Sequence, residues 1–244
     1  MRNFFLRNSS KVNACSNSAT LGLFFDSLIS EQDWSHFPFN GQAVRALKMN
    51  QLLTRFNPNL IIETGSYVGT TTEFIARIAP VSIYSIEKNV EYFESTKIRL
   101  QEKGLGQIVK LILGDSAVEV RKILDERQKD ENRVIAYLDA HWENDLPLRE
   151  ELMALMDSHA EFVAVIDDFK VPGDSGYGFD LFQGEPINEQ IRVELRNLEV
   201  WVPSTPAYAE TGARRGTGYV FNKGASRRIP KDFFVGLKKI EESN

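Results

Sequence analysis

The sequence has a single cysteine, Cys15, among its 244 residues. One thiol cannot form an intramolecular disulfide, and it cannot supply a thiolate metal cluster. Both kinds of stabilisation are therefore excluded within the chain. The lack of disulfides fits a reducing compartment, and we expect a cytoplasmic protein.

The chain also lacks an excess of basic residues and a long apolar run. Lys and Arg together number 29 against 34 for Asp and Glu, which gives a net charge of -5. General nucleic-acid affinity depends on neutralising phosphates, so this balance argues against a nucleic-acid partner. No apolar run approaches the roughly 20 residues that cross a bilayer, so no membrane span is predicted. Small-molecule chemistry is the better expectation.

Acidic residues are absent from the N-terminal segment until Asp26, whereas Arg2, Arg7 and Lys11 are present. This bias is similar to that of an organellar transit peptide. Residues 1–40 also alternate aromatic and aliphatic clusters with Ser/Asn-rich patches. We interpret them as an ordered N-terminal extension or lid rather than a cleaved leader. Its aromatic side chains favour a homodimer contact.

Strand and helix signals alternate over residues 41–244, which we interpret as one domain. The strand signals cover 60–62, 81–86, 108–113, 133–138 and 162–166, and the helical signals cover 42–56, 73–78, 90–103, 117–127, 147–156 and 187–197. This alternation predicts an α/β fold with a Rossmann-like, doubly wound and mostly parallel sheet. Residues 198–202 and 218–221 predict an antiparallel C-terminal pair.

The first of these helices, over residues 42–56, has a helical apolar period. Val44, Leu47, Leu52 and Leu53 belong to its predicted apolar face. Arg45 and Lys48 are predicted on the opposite, solvated face.

The stretch 63–72 joins the first predicted strand to the next helix through two glycines. Glu63 places a carboxylate at the end of the strand, and Gly65 and Gly69 allow a sharp turn and close approach of a ligand. Three residues separate the glycines and no third glycine follows at the required place. The spacing therefore differs from the dinucleotide fingerprint, and a pyrophosphate cradle is disfavoured.

Five predicted strands end at or next to an acidic residue. Ligands bind outside the carboxyl ends of the strands in open α/β sheets, so these carboxylates should converge on one crevice. A single acid of this kind is more often a solvated loop residue or a helix cap, but five in succession favour a shared site. The five are Glu63, Glu87, Asp115, Asp139 and Asp167.

Two of these positions suggest a nucleoside. Glu87 follows the second strand about twenty residues beyond the glycine turn, where a carboxylate can accept both hydrogen bonds of a ribose diol. Asp115 and Ser116 could bond an adenine edge or cap the following helix. The sequence leaves both of those readings open.

Asp139, Asp167 and Asp168 suggest a metal. Three carboxylates within a few ångströms cannot all stay ionised without a compensating charge, and Mg²⁺ accepts carboxylate oxygens. Asp168 could instead point away into the following loop. His141, two residues beyond Asp139, could take a proton from a metal-bound hydroxyl group.

Together these motifs resemble the class I S-adenosylmethionine-dependent methyltransferases, and among them the metal-dependent O-methyltransferases of the catechol and caffeoyl-CoA type. The segment 63–69 is similar to the family's E-x-G-x-x-x-G turn at the methionine end of the cofactor. Residues 85–87 resemble its ribose-binding acid and 114–116 its adenine segment. Residues 138–142 resemble its metal and tryptophan segment, and 166–168 fall where it carries two further ligands.

The resemblance implies an enzyme with S-adenosyl-L-methionine and Mg²⁺, or another divalent cation, as cofactors. It implies catalytic roles for His141 and Asp139, and a metal held by Asp139, Asp167 and Asp168. The implied cofactor contacts are Glu63, Gly65, Ser66, Tyr67, Gly69, Thr70, Thr71, Glu87, Asp115, Ser116, Asp139 and Trp142. Trp142 could equally wall the core.

One departure concerns the base. The catechol enzymes carry a lysine just after the tryptophan, where this chain has Glu143. The D-x-H pattern is closer to the sugar, or macrocin-type, O-methyltransferases, which implies His141 as the base and a sugar or glycan hydroxyl as the acceptor. A catalytically silent methyltransferase-like binding module stays open because of Glu143. An NAD-dependent dehydrogenase is the third hypothesis, and the wide spacing of the two glycines argues against it.

Residues 1–40 and 173–216 lie outside the resemblance, and we predict that they form the lid and the acceptor wall. The glycine-rich segment 173–184 predicts a long loop that could close over the site. Surface packing would explain the aromatic and basic side chains of this region equally well. The candidate acceptor contacts are Tyr177, Phe179, Trp201, Tyr208 and Arg214.

Overall fold

The structure is a computed structural model, and it describes residues 34–79, 81–127, 132–141 and 145–240. In this part of the chain the strands are β1 Leu60–Thr64, β2 Ile83–Glu87, β3 Val109–Leu113, β4 Arg133–Leu138, β5 Glu161–Asp167, β6 Leu181–Phe182, β7 Glu185–Pro186, β8 Glu199–Pro203, β9 Thr217–Phe221 and β10 Leu237–Lys239. The parallel strands β1 to β5 are the five that the sequence predicts.

The helices connect and cover the strands. They are α1 Ala43–Arg55, α2 Thr70–Ile78, α3 Val90–Glu102, α4 Ser116–Glu126, α5 Leu148–Asp157, α6 Ile187–Gln190, α7 Arg192–Leu195 and α8 Lys223–Arg228. Short 3₁₀ helices occur at Trp34–His36, Pro38–Gly41, Ala207–Ala209 and Lys231–Phe234. None of the helices in the described part of the chain combines the length and apolar character that a membrane span requires.

Eight of the strands form one sheet in the order β10-β8-β9-β5-β4-β1-β2-β3. Strands β1 to β5 pair in parallel, and β9 pairs antiparallel with both β5 and β8. The predicted Rossmann-like fold with an antiparallel C-terminal pair is confirmed. The carboxyl ends of β1, β2, β4 and β5 meet at one edge, which is where the acidic residues of the predicted crevice lie.

The sheet has a separate hydrophobic cluster on each face. Successive side chains of a strand point to opposite faces, so Leu60 and Ile62 join one cluster while Ile61 joins the other. The same alternation places Tyr137 on the face that α1 and α2 cover. Each parallel strand is therefore buried on both sides, as its apolar sequence indicates.

The orientation predicted for α1 is right for Leu52 and Leu53, which are buried, and wrong for the first half of the helix. Arg45, Lys48 and Met49 lie on its buried side, whereas Leu47 is 40% exposed. The Lys48 ammonium group donates hydrogen bonds to the backbone carbonyl groups of Phe233 and Val235. Buried cations are tolerated only with partners, and apolar periodicity cannot detect those partners because they come from distant parts of the chain.

Three further differences concern the C-terminal third. The helix predicted over 187–197 is divided into α6 and α7, because Ile191 adopts φ -108° and ψ 15° and packs fully buried between them. The loop predicted over 173–184 contains β6, which pairs with β7 in a small hairpin. Helix α8 and strand β10 were not predicted. Residues 1–33 lie outside the described residues, so the division at residue 40 stays a prediction.

The turn between β1 and α2 requires glycine at its first position. Gly65 has φ +75°, and a Cβ atom there would lie 2.2 Å from the backbone oxygen of Asp139. Its N–H group donates to the carbonyl of Ile86, which fixes the turn against β2. The glycine thus lets the turn pass directly beside the end of β4.

We expect Gly65→Ala to destabilise the protein by about 3 kcal/mol, because a left-handed backbone costs about 1–2 kcal/mol and an overpacked contact about 1–3 kcal/mol. Gly104→Ala is the matched control, since Gly104 has φ +68° with no heavy atom within 4 Å of the added Cβ. The control should lose only about 1–2 kcal/mol in urea denaturation followed by circular dichroism. Equal losses for the two variants would contradict this account of the turn.

Candidate active site

Glu87 lies at the carboxyl end of β2, directly beside the glycine turn. Its Oε2 atom accepts a hydrogen bond from the N–H group of Tyr67 at 2.9 Å, and its Oε1 atom accepts one from the N–H group of Asn89 at 2.8 Å. The side chain is 7% exposed. Two backbone donors fix the carboxylate in place and leave it further lone pairs, which a ribose diol could use.

Glu63 lies beneath the turn with no solvent exposure. Its Oε2 atom accepts hydrogen bonds of 2.6 Å from the hydroxyl groups of Thr72 and Ser85. Burial raises the pKa of Glu63 to about 7, although these two hydrogen bonds act in the opposite direction. The residue therefore ties α2 to β2 below the crevice, and its direct contact with a cofactor stays a prediction.

Asp115 caps α4 by accepting a hydrogen bond from the N–H group of Ala117 at 3.0 Å. Its other carboxylate oxygen is 2.8 Å from the ammonium nitrogen of Lys88, which also contacts Asp145 at 2.7 Å. The capping role that the sequence left open is thus present. Ser116 is buried at the start of α4, and the adenine contact of this pair stays a prediction.

Asp139, His141 and Asp168 form a group of potential metal ligands, with one ligand atom of each within 4.8 Å of the others. The Nε2 atom of His141 lies 3.5 Å from the Oδ2 atom of Asp168. That nitrogen is buried and, among the described residues, has no hydrogen-bond partner. A buried nitrogen directed at carboxylates fits a site that binds a cation or a hydroxyl group.

Asp167 lies against this group but its carboxylate is engaged elsewhere. It forms a buried ion pair with Arg45 and accepts a hydrogen bond of 2.8 Å from the hydroxyl group of Tyr137. It also accepts one from the N–H group of Asp168 at 2.7 Å. The structure therefore brings His141, rather than Asp167, into the group that could hold a metal directly.

Arg215 joins the acidic group to the segment that carries the β6–β7 hairpin. Its guanidinium group forms ion pairs with Asp168 and with Asp180. Asp180 in turn lies 3.8 Å from the Nε2 atom of His141, measured from Oδ2. Neither Arg215 nor Asp180 belongs to a sequence motif. The sequence analysis predicts the neighbouring Arg214 as an acceptor contact instead.

Charge is unevenly compensated within this cluster. Burial, together with the nearby charges of Asp167 and Asp168, raises the pKa of Asp139 well above its usual value. Burial opposes ionisation of Asp168 as well, but His141 and Arg215 outweigh it and lower the pKa of Asp168 to about 2. Burial lowers the pKa of His141, and the surrounding carboxylates more than reverse this, so the pKa is raised. Asp139 is thus the carboxylate that most lacks a positive partner.

The remaining predicted residues are spread around the crevice. Thr71 accepts a hydrogen bond from the N–H group of Phe39 at 3.0 Å, which fixes the 3₁₀ segment against α2. Tyr67 is 42% exposed at the rim. Trp142 lies outside the described residues.

Three aromatic residues of the predicted acceptor wall have other environments in the structure. The ring of Trp201 packs on Phe234 at a centroid distance of 4.4 Å, within the cluster under the sheet. Tyr208 is 79% exposed, and Tyr177 is buried with its hydroxyl group on the carbonyl of Thr205. Aromatic character alone could not separate core residues from surface residues or site residues.

No family model and no curated protein sequence matches the chain. Solved structures do match it. The O-methyltransferase TomG from Streptomyces achromogenes, in complex with SAM and involved in tomaymycin synthesis, is 21% identical, with 74% of this chain and 80% of that chain covered and a TM-score of 0.55. An SAH-bound methyltransferase from Podospora anserina is 14% identical, with 89% and 96% covered and a TM-score of 0.58.

A third match is the O-methyltransferase from Bacillus cereus in complex with SAH. It is 15% identical, covers 84% of this chain and 91% of its own, and has a TM-score of 0.53. The chain therefore has the fold of the class I S-adenosylmethionine-dependent O-methyltransferases. The resemblance that the motifs predicted is confirmed at the level of the fold.

The raised pKa of Glu63 predicts a pH-dependent stability difference. Its ordinary value is 4.5 and its folded value about 7, so its contribution is fully present below pH 4.5 and is lost as the pH rises through 7. The free energy of unfolding of the wild type, minus that of Glu63→Gln, should fall by at most about 3 kcal/mol between pH 4.5 and 8. Urea titrations at several pH values measure it, and a difference that does not change with pH would contradict the burial of an ionisable Glu63.

The Arg45–Asp167 ion pair predicts strong coupling between its two residues. Arg45→Met should destabilise the protein by about 3–5 kcal/mol, because it leaves Asp167 buried without its cation. The double variant Arg45→Met/Asp167→Asn should be more stable than the sum of the single effects implies, by about 1–3 kcal/mol. Denaturant unfolding of all four proteins gives this coupling, and additive single effects would show that the pair does not act as a unit.

Proposed function

We propose that this protein is an S-adenosylmethionine-dependent, divalent-metal-assisted O-methyltransferase that acts on a hydroxyl group of a small molecule, a sugar or glycan. The observation that carries the proposal is the buried Nε2 atom of His141, which faces Asp168 beside Asp139 at the carboxyl ends of β4 and β5. In a methyltransferase fold, an imidazole group and an acidic cluster close to the β1–α2 turn support the roles that we propose for them.

The cofactor side of the crevice supports this proposal. Glu87 is fixed by the N–H groups of Tyr67 and Asn89, and Gly65 permits the close approach of backbone to ligand. Bound S-adenosylmethionine would supply a methyl group on a positively charged sulfur, which departs with the bonding electron pair. A cationic ligand suits this position because, among the described residues, the cluster of Asp139, Asp167, Asp168 and Asp180 forms ion pairs with two guanidinium groups, those of Arg45 and Arg215.

The donor set also fits a divalent metal. Asp139 and Asp168 offer the hard oxygen ligands that Mg²⁺ prefers, and His141 lies within the same group. Such a cation would compensate Asp139 and would hold and acidify the acceptor hydroxyl group. Asp167 completes the acidic wall, and it could bind the metal directly only if its ion pair with Arg45 opened.

The residues of the chain have distinct parts in the proposed reaction. Asp139 and Asp168 orient the acceptor side, and Glu87 orients the cofactor side. His141 receives the hydroxyl proton on Nε2 while the acceptor oxygen bonds to the methyl carbon. The surrounding carboxylates favour the protonated imidazole that results. Exclusion of water and alignment of the two substrates would account for most of the rate enhancement.

A homodimer contact and a cytoplasmic location stay predictions.

The proposal predicts binding of S-adenosylmethionine but not NAD in calorimetry, and transfer of a labelled methyl group to an acceptor in the presence of Mg²⁺. Nucleotide sugars, glycans, catechols and acyl-CoA esters form the acceptor panel. Asp139→Asn should lower kcat/KM for the best acceptor by about 100-fold or more, because it removes a ligand of the acceptor-orienting cation. Asp157→Asn, at the exposed end of α5, is the matched control and should be unaffected.

Three results would count against the proposal in different ways. Binding of NAD instead of S-adenosylmethionine would favour a dehydrogenase. Cofactor binding with no transfer to any acceptor would favour a silent binding module. If neither EDTA nor the Asp139→Asn substitution lowers turnover, the metal has no part in the reaction. The proposal of methyl transfer would then stand without a metal.

A further inference from the structure

One residue of the turn between β1 and α2 has a strained backbone conformation. Tyr67 has φ +49°, in the left-handed region that residues other than glycine rarely adopt. Its side chain is 42% exposed, so burial of the ring does not impose this conformation. Strain of this kind persists only where neighbouring groups hold it, and it is common at ligand-binding sites. The groups that hold Tyr67 are therefore candidates for a functional role.

Two carbonyl groups of the turn are held by side chains of α3. The carbonyl of Tyr67 accepts a hydrogen bond from the hydroxyl group of Thr96 at 2.7 Å. The carbonyl of the next residue, Val68, accepts one from the Nε atom of Arg99 at 2.8 Å. The two donors lie 29 and 31 positions further along the chain than their acceptors. The turn is thus held by a helix that is distant in sequence.

Helix α3 lies directly against the turn at Thr96. This residue is fully buried, and a Cβ atom at Gly69 would lie 2.9 Å from its Cγ2 atom, so the glycine permits the close approach. Arg99 is fixed as well, because its Nη1 atom lies 3.1 Å from the Oε2 atom of Glu73 on α2. These contacts join α3 to both the turn and the helix that follows it.

The conformation of Tyr67 also determines how Glu87 is held. The N–H group of Tyr67 donates to the Oε2 atom of Glu87 at 2.9 Å, while the carbonyl of the same residue is held by Thr96. The angle φ sets the orientation of these two groups relative to each other, so a relaxation of Tyr67 to a negative φ would break one of the two bonds. Thr96 therefore acts on Glu87 through the backbone of Tyr67.

We propose that Thr96 and Arg99 are positioning residues for the cofactor, and that they hold the β1–α2 turn and Glu87 in the arrangement that binds S-adenosylmethionine. The inference rests on the proposed function for the identity of the cofactor. Neither residue belongs to a motif by which the sequence resembles the methyltransferases. Because the turn is already ordered when the ligand arrives, binding does not require further ordering of its backbone. Loss of either residue should weaken binding of the cofactor and leave the acceptor side unchanged.

The test compares three substitutions at Thr96 and one at Arg99. Thr96→Ala and Thr96→Val remove the hydroxyl group, with and without a change of side-chain size, whereas Thr96→Ser keeps it. Arg99→Gln removes the guanidinium group. Thr54→Val is the matched control for Thr96, because the hydroxyl group of Thr54 also donates to backbone carbonyl groups, but within α1. Arg121→Gln is the control for Arg99, since its ion pair with Asp157 is exposed.

Calorimetry measures binding of SAH, and labelled methyl transfer measures kcat and the KM for S-adenosylmethionine with the best acceptor. One hydrogen bond corresponds to about 10-fold in affinity, so Thr96→Ala, Thr96→Val and Arg99→Gln should each weaken binding of SAH by about that factor. The KM for S-adenosylmethionine should rise in parallel, while kcat should stay within about twofold of the wild type. Thr96→Ser should restore binding, and the two controls should bind SAH as the wild type does.

A second measurement follows the turn without any ligand. Amide hydrogen exchange of Tyr67, observed by NMR, should be faster in Thr96→Ala than in the wild type, because the bond from its N–H group to Glu87 weakens. Exchange of the amides in the central strands β1 and β4 should be unchanged. That pattern distinguishes a local change in the turn from a general loss of stability.

The inference is overturned if the wild type does not bind SAH, if the Thr96 and Arg99 variants bind it as tightly as the wild type, or if Thr96→Ser binds as weakly as Thr96→Ala. It is also overturned if exchange of the Tyr67 amide is the same in Thr96→Ala and the wild type. Failure of the proposed function has a different result. In that case binding of SAH depends on Thr96 and Arg99 as expected, but no acceptor receives a methyl group.

Discussion

The buried ion pair between Arg45 and Asp167 is the contact on which the arrangement of the site depends. It links α1 to the end of β5, and Arg45 also donates to the carbonyl groups of Arg215 and Gly216 just before β9. Tyr137 on β4 donates to the same carboxylate. One guanidinium group therefore fixes three neighbouring strand ends. Because a buried charge requires its partner, these elements cannot shift independently of one another.

Two adjacent carboxylates have different partners because one of them belongs to this ion pair. Asp167 continues the alternation of β5 and points toward α1, whereas Asp168, with φ +54°, turns to His141 and Arg215. Arg45 neutralises the first and Arg215 the second, so Asp139 is left without a full counter-charge. A site with this imbalance attracts a cation, and both the proposed metal and the sulfonium group of the proposed cofactor are cations.

Much of the architecture could be predicted from local patterns. The five parallel strands and the glycine turn follow from β-branched runs and from the spacing of Gly65 and Gly69, because these signals act over a few residues. Glu87 lies beside the turn as expected, and Asp139, His141 and Asp168 lie together. The burial of Arg45 on α1 was not predicted, since the partner that makes it acceptable lies 122 positions along the chain, at Asp167. Arg215 and Asp180 were missed for the same reason.

The class of fold and the edge of the sheet at which the acidic residues gather can be predicted from the sequence alone. The order of strands and helices along the chain predicts where each strand ends. The acidic residues at those ends can be identified directly in the sequence. Which carboxylate faces which cation depends on the tertiary structure. Ion pairs such as Arg45–Asp167 and Arg215–Asp180 join segments that are far apart in the chain, and their geometry depends on the packing of helices and loops against the completed sheet. That packing also places Asp180 beside His141, which no local pattern indicates.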